Sequence, residues 1–405
     1  MTAYGQSYWT RRPASRGPRR RALSGDHSTD IVVIGGGLTG CASAYALAKA
    51  GFEVILLERD TIAGGATSRA MGLITPSPTA SYLESGTQAG AKATKAAFGA
   101  YKKSAKDLTA TLKKLKVKCD LAELDLLVNA PFTNDAARLK KEIAARKAAG
   151  ADAVWVAGAV SRELLQTETQ GAMRVRAAVM DPVKAARGFA DAAMKLGVRV
   201  LEHTAAVKTT FTRKDVTVAL KGARITARGV VVATGMPETI GDQLMRHVRV
   251  SQGYVVVTNP LTTAMRAAVG SREVAYTEAT ESPRWLRWLP DGRAMFAGIT
   301  AAPAKPALAQ KAVIQRANQL MYELSLRYPD ISGLPPAFGW DMPIVTAPDG
   351  LPWIGSHRNY PFHFFSMALG WHGEAGAWLA AQAAVRHFSG KPAPEDGVLG
   401  FTRIL

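Results

Sequence analysis

Runs of apolar residues along this chain switch between strand and helix periods, and the switches predict its elements. Ile31-Val32-Val33-Ile34 is an unbroken apolar run leading into Gly35-Gly36-Gly37, so 30–37 reads as a buried strand entering a tight turn. Small residues over 38–50 predict a helix packed close to that strand, and 53–58 supplies a second parallel strand, which makes one βαβ unit. Residues 89–150 repeat Ala, Lys and Leu at helical spacing and are expected to be mostly helical. A helix over 182–196 follows, with Asp181 as N-cap and Gly197 as stop, and then a strand over 198–202. Further strands are expected at 206–211, 216–220 and 225–234. The stretch 248–299 is strand-rich, with turns at Asn259-Pro260 and Asp291-Gly292. The chain closes with a strand over 362–367, a glycine-rich turn, and a helix over 375–388 ended by Gly390.

This order predicts an α/β and α+β fold, a Rossmann-type nucleotide-binding lobe with an interleaved, sheet-containing substrate lobe. The nucleotide lobe is expected from 28–88, 174–245 and 340–392, and the substrate lobe from 89–173 and 246–339. Residues 1–27 read as a basic arm with little structure, and 393–405 as a tail.

Charge changes the picture only at the surface. The chain has 405 residues and a formal net charge of +19. Six arginines before residue 22 face only Asp26, and nine lysines over 91–118 face only Asp107. The second segment keeps Ala97, Phe98, Tyr101, Leu108 and Leu112 at helical spacing, so it reads as an amphipathic helix with a solvated lysine face. Motifs that read nucleic-acid bases are absent from it. No apolar run approaches the roughly 20 residues that span a bilayer. The arginine-rich start lacks the apolar core and cleavage site of a secretory or twin-arginine signal. Two cysteines, Cys41 and Cys119, make neither a disulfide framework nor a metal ligand set, and they suit a reducing, cytoplasmic location.

Gly35, Gly37 and Gly40 form G-x-G-x-x-G directly after a strand and before a helix. The first glycine permits the turn, the second lets backbone approach a pyrophosphate, and the third lets helix and strand pack. Leu38 and Thr39 then begin a helix whose unpaired N–H groups and positive dipole end face the phosphates. Glu58 lies 23 positions after Gly35 at the end of the second strand and is placed to bind a ribose diol, which favours FAD or NAD over NADP.

The stretch from Glu58-Arg59 through Gly65-Ala66-Thr67-Ser68-Arg69 to Met71-Gly72-Leu73 resembles the flavin-side segment of the D-amino-acid oxidase superfamily, the branch with glycine, sarcosine and gamma-glutamylputrescine oxidases. Similar likenesses recur at Met180-Asp181-Pro182-Val183, at Val207, at Ala233-Thr234-Gly235, over 254–261 and 287–293, and in Thr346-Ala347-Pro348-Asp349-Gly350-Leu351-Pro352-Trp353-Ile354-Gly355. The resemblance implies an FAD enzyme that oxidises the C–N bond of a small amine or amino acid. A hydride passes to flavin N5, and the resulting imine hydrolyses, with oxygen or another acceptor closing the cycle. It also implies that Gly370, Trp371, His372 and Gly373 bring the last helix to the flavin's N1 and C2 carbonyl, where negative charge collects on reduction. Where the family has His-Gly, this chain has Glu374-Ala375, with His372 two places earlier. Covalent flavin is not expected, since Arg69 and Met342 stand where relatives carry the attaching His or Cys.

Flavin oxidation of an amine needs positioning more than an acid–base pair. Arg287 matches a family arginine suited to a substrate carboxylate, with Arg284 and Arg293 as competitors for that role. Tyr254, Trp285, Trp288 and Trp371 either wall the substrate or belong to the core. Glu374 and His372 either bind and deprotonate an amine or serve as a helix cap and a solvent-facing histidine. Two other functions stay open at this level: a flavoenzyme that modifies tRNA, and a non-catalytic flavin-binding subunit.

Overall fold

The computed structural model describes residues 2–11, 23–237 and 240–404. Its chain divides into two compact units, residues 13–121, 180–249 and 345–405 in one and 1–12, 122–179 and 250–344 in the other.

The first unit is built on a sheet ordered Trp353–His357, Tyr360–Met367, Ala223–Gly235, Gly25–Ile34, Val54–Leu57, Arg199–Leu201. All neighbours in this path are parallel except the first pair. Val32, Ile34, Ile55, Leu57, Val230 and Val232 point to one face and share a core with Trp353 and Phe365. The helix Leu38–Lys49 packs between Pro182–Lys195 and Glu374–Phe388. Seven small residues among its first ten, Thr39, Gly40, Cys41, Ala42, Ser43, Ala44 and Ala46, let three helices approach closely. Asp181 caps the helix Pro182–Lys195 as expected, accepting from the N–H groups of Val183 and Lys184 at 3.0 Å each.

The lysine-rich segment forms a single helix, Ala91–Lys114, and this helix clusters with the nucleotide-binding unit, whereas residues 89–173 were expected in the substrate lobe. Its apolar stripe, Ala97, Phe98, Tyr101, Leu108 and Leu112, is buried, and the helix packs on Glu374–Phe388.

The second unit carries a sheet ordered Ala3–Tyr4, Pro336–Thr346, Arg249–Thr258, Ala294–Ala301, Trp285–Trp288, Val274–Glu278, Ala122–Asn129, Gly171–Val179. The helix Ala309–Arg327 covers one face through Val313, Ala317, Leu320 and Leu324. Two strands here go beyond the sequence reading, one inside the stretch 89–150 expected to be mostly helical and one after it. Ala122–Asn129 pairs parallel to Val274–Glu278, and Gly171–Val179 pairs antiparallel to Ala122–Asn129.

The start of the chain also departs from expectation. Among the described residues of the arm, Ala3–Tyr4 adds a parallel edge strand on Phe338 and Gly339, and Tyr8 and Trp9 are buried. Polar composition hid three aromatic side chains, Tyr4, Tyr8 and Trp9, and each fully buried side chain of Phe size adds about 1.5–3 kcal/mol. Residues 12–22 lie outside the described residues. The strand expected at residue 30 begins at Gly25.

Candidate cofactor and substrate sites

The carboxyl ends of Gly25–Ile34, Val54–Leu57, Ala223–Gly235 and Tyr360–Met367 lie along one edge of the parallel sheet, the place where such folds receive a dinucleotide. Each fingerprint glycine has a steric reason there. Gly35 has φ +106°, and a Cβ on it would stand 2.7 Å from the Ala233 carbonyl oxygen. A Cβ on Gly40 would overlap the Gly35 carbonyl oxygen outright. Gly37 is the N-cap of the helix and supplies no side-chain cap, which leaves the helix mouth to an anion. One first-turn donor is engaged, since the Leu38 N–H donates to Thr67 Oγ1 at 2.9 Å; Thr39 and Gly40 follow it in the first turn.

Glu58 closes the other side. Its carboxylate accepts from the Gly36 N–H at 2.6 Å and the Asp60 N–H at 2.8 Å. An ionised carboxylate has about four acceptor sites, so hydroxyl donors can still be served. Arg59 is exposed and pairs with Asp60. Beyond it, Gly65 precedes a short 3-10 turn, Ala66–Arg69, in which Ser68 donates to the Gly64 and Gly65 carbonyls at 2.9 and 2.8 Å. Met71 and Leu73 are buried, and Gly72 (φ +68°) accepts from the Met180 N–H. Ala233, Thr234 and Gly235 end the central strand, and Thr234 Oγ1 donates to the Met236 carbonyl at 2.7 Å. Val207 stands exposed before the strand Lys208–Phe211. Gly355 packs against Gly400, where a Cβ would meet Gly400 Cα at 3.3 Å.

The C-terminal turn is the second half of the cradle. Gly370 has φ +75° and donates its N–H to the Val345 carbonyl at 3.0 Å. Thr79 Oγ1 accepts from the Trp371 N–H at 3.1 Å, and a Cβ on Gly370 would come within 2.5 Å of that oxygen. Gly373 is the uncapped N-cap of Glu374–Phe388. Thr79 and Ser104 escaped the sequence reading. Ser104 Oγ donates to the Ala375 carbonyl at 2.6 Å and fastens the lysine-rich helix to the first turn of the last one. A Thr after Pro-Ser-Pro and a Ser among lysines carry no recognisable signal. These features fit a dinucleotide: glycines with no room for a side chain, two uncapped helix N-termini and a carboxylate at the strand end.

His372 is buried rather than solvent-facing, and desolvation lowers its pKa to about 3. Glu374, equally buried, occupies the first helical position, where the dipole favours a carboxylate. The folded state therefore holds His372 neutral, while the unfolded chain binds a proton near the ordinary value of about 6.5. Stability from this residue is complete above that value and is lost as pH falls toward about 3. His372→Gln should remove about 2–3 kcal/mol of the loss between pH 7 and pH 4.5. Urea denaturation at the two pH values checks this, and parallel curves for the two proteins would refute it.

The substrate-lobe candidates lie on the other unit. Leu286 and Trp288 point to the helix-covered face, and Tyr254 joins them in that core; Trp285 and Arg287 alternate to the opposite face. The period-2 alternation thus separates Tyr254 from Arg287, and the sequence grouping of the two does not hold. Arg284 is bound to Glu323 through two contacts at 2.5 and 3.1 Å, and Arg293 to Asp291 at 3.2 Å and the Thr258 carbonyl at 3.0 Å. The Arg287 side chain is fully buried, donates to the Trp288 carbonyl at 3.4 Å, and lies 5.6 Å from the centroid of Trp9. Trp9 is held by Tyr8, whose hydroxyl donates to Asp291 at 2.8 Å.

Neither cysteine is poised for attachment chemistry. Cys41 and Cys119 are buried, and burial raises both thiols, Cys119 to about 11. Among the described residues no helix is long and apolar enough to cross a membrane.

Comparison with known proteins agrees with this geometry. A family model described as FAD dependent oxidoreductase matches residues 30–387. The chain is 23% identical over 361 residues to the gamma-glutamylputrescine oxidoreductase of Escherichia coli (strain K12), covering 88% of this chain and 82% of that protein. Among solved structures it is similar to the L-proline dehydrogenase from P.horikoshii, with TM-score 0.77 and 18% identity over 94% of this chain and 98% of the other. It is also similar to the glycine oxidase from Geobacillus kaustophilus, with TM-score 0.74 and 18% identity over 93% and 99%.

Proposed function

Since the chain belongs to the family of FAD-dependent oxidoreductases, we propose that it oxidises the C–N bond of a small amine or amino acid bearing a carboxylate. The observation that carries this reading is Arg287, a fully buried guanidinium 5.6 Å from the ring centroid of Trp9, on a strand where the resemblance implies a carboxylate-binding arginine. The names of similar proteins point the same way, an L-proline dehydrogenase, a glycine oxidase and a gamma-glutamylputrescine oxidoreductase.

In this reading FAD is held without a covalent bond by Gly35, Gly37, Gly40, Glu58, the 65–73 segment and the 370–373 turn. When bound it supplies the oxidant, accepting a hydride from the carbon next to nitrogen. The chain's own residues bind and orient. Arg287 takes the carboxylate in a two-pronged fork, and Trp285 and Trp9 give it a low-dielectric surround in which that ion pair is strong. The N-terminus of Glu374–Phe388 stabilises negative charge at the 370–373 turn. His372, neutral at physiological pH, acts there as a hydrogen-bonding group; a proton acceptor with so low a pKa would be a poor base.

The test is anaerobic titration of the yellow protein with primary amines, N-methyl amino acids, and L- and D-amino acids. Loss of the visible flavin band with carboxylate-bearing amines, and not with their decarboxylated counterparts, is expected. Bleaching by the decarboxylated amines alone would overturn the proposal.

A further inference from the structure

The C-terminal segment carries an arginine whose bonding is complete. Arg403 spends all five guanidinium donors within the nucleotide-binding unit. Nε and one Nη bond the two oxygens of Asp349 at 2.6 and 3.0 Å, and the remaining donors reach the carbonyls of Leu351 at 2.7 Å, Pro352 at 2.8 Å and Leu399 at 2.9 Å. The same guanidinium stacks 3.4 Å from the ring centroid of Trp353, which also stacks on Phe401 at 5.1 Å. The Arg403 side chain is only 7% exposed. A buried cation with four of its five bonds on one loop fixes that loop, because every shift breaks a charge-assisted bond in low dielectric.

That loop continues to the flavin side. Gly350 (φ +73°) lies so close to Ala80 that a Cβ would come within 2.5 Å of the alanine's own. The neighbouring Thr79 accepts the Trp371 N–H, and the strand leading into the loop offers the Val345 carbonyl to the Gly370 N–H. The glycine turn therefore has its backbone fastened at two points, one on the strand that leads into the loop Arg403 clamps and the other on a segment that packs against Gly350 of that loop. We propose that Arg403 is a positioning residue for the cofactor: its fork on Asp349, Leu351 and Pro352 holds the 370–373 turn in register, so the last residues of the chain complete the FAD site. This deepens the cofactor reading above and rests on the turn bordering FAD, independent of any substrate.

The experiment measures FAD binding to full-length apoprotein by fluorescence quenching, together with the shape of the visible flavin band. Arg403→Lys and Arg403→Ala should each weaken FAD about tenfold, the lysine failing because it keeps the charge without the fork. Millimolar methylguanidinium should restore part of the affinity of the alanine variant alone. If that variant does not fold, the lysine variant carries the test. Thr79→Val is made in parallel. Wild-type affinity and band shape in both Arg403 variants, with weakened binding in Thr79→Val, would overturn the role of Arg403 and leave the turn standing. Unchanged binding in all three would remove the turn itself from the FAD site.

Discussion

Replacing Gly40 with alanine is expected to yield a protein that purifies colourless, with FAD affinity reduced at least about a hundredfold. The added methyl would overlap the Gly35 carbonyl oxygen, which is backbone in a turn already committed to φ +106° and cannot rotate aside. Either the helix Leu38–Lys49 moves away from the strand or the turn changes shape. In both cases the mouth of this helix no longer presents its remaining first-turn donors to a pyrophosphate. Overpacking costs about 1–3 kcal/mol of stability as well. Flavin content per chain after gel filtration, with far-UV dichroism to confirm folding, is the measurement. A yellow, stoichiometric Gly40→Ala protein would show that this helix mouth does not hold the cofactor.

The second large effect is expected at Arg287. Methionine there keeps the stem and most of the volume while removing the charge and the fork, so the substrate sheet should persist. Losing a desolvated partner of a carboxylate costs about 2–5 kcal/mol, so kcat/KM for a carboxylate-bearing substrate should fall about 10²–10³-fold. FAD content and the visible spectrum should be unchanged, because Arg287 and the FAD cradle belong to different units of the chain. A methionine variant with an unaltered apparent KM would eliminate Arg287 as the carboxylate anchor. The lysine variant should recover little, since a point charge does not reproduce a planar fork.

Local rules read much of the nucleotide-binding unit. Strand, glycine turn, helix and terminal acid sit within 29 residues, and the reason for each glycine is visible in its neighbours. The same holds for Asp181, which caps the helix that starts at the next residue. Reading failed where a segment's partner is remote in sequence. Ala122–Asn129 is flanked by helices and becomes a strand because Val274–Glu278 and Gly171–Val179 offer it edges. Tyr254 and Arg287 looked alike as strand residues, and only register assigned them to opposite faces.

What the sequence determined unaided is the identity of the cofactor fold, since a pyrophosphate cradle is made by neighbouring residues whose conformational needs are written into glycine, helix cap and strand. What required the tertiary structure is which polar groups are spent and which are poised. Arg284 is absorbed by Glu323, Arg403 by a loop 54 residues away, and His372 is stripped of solvent and held neutral. Charge, burial and hydrogen bonding depend on atoms brought together over long chain distances, and no local pattern encodes them.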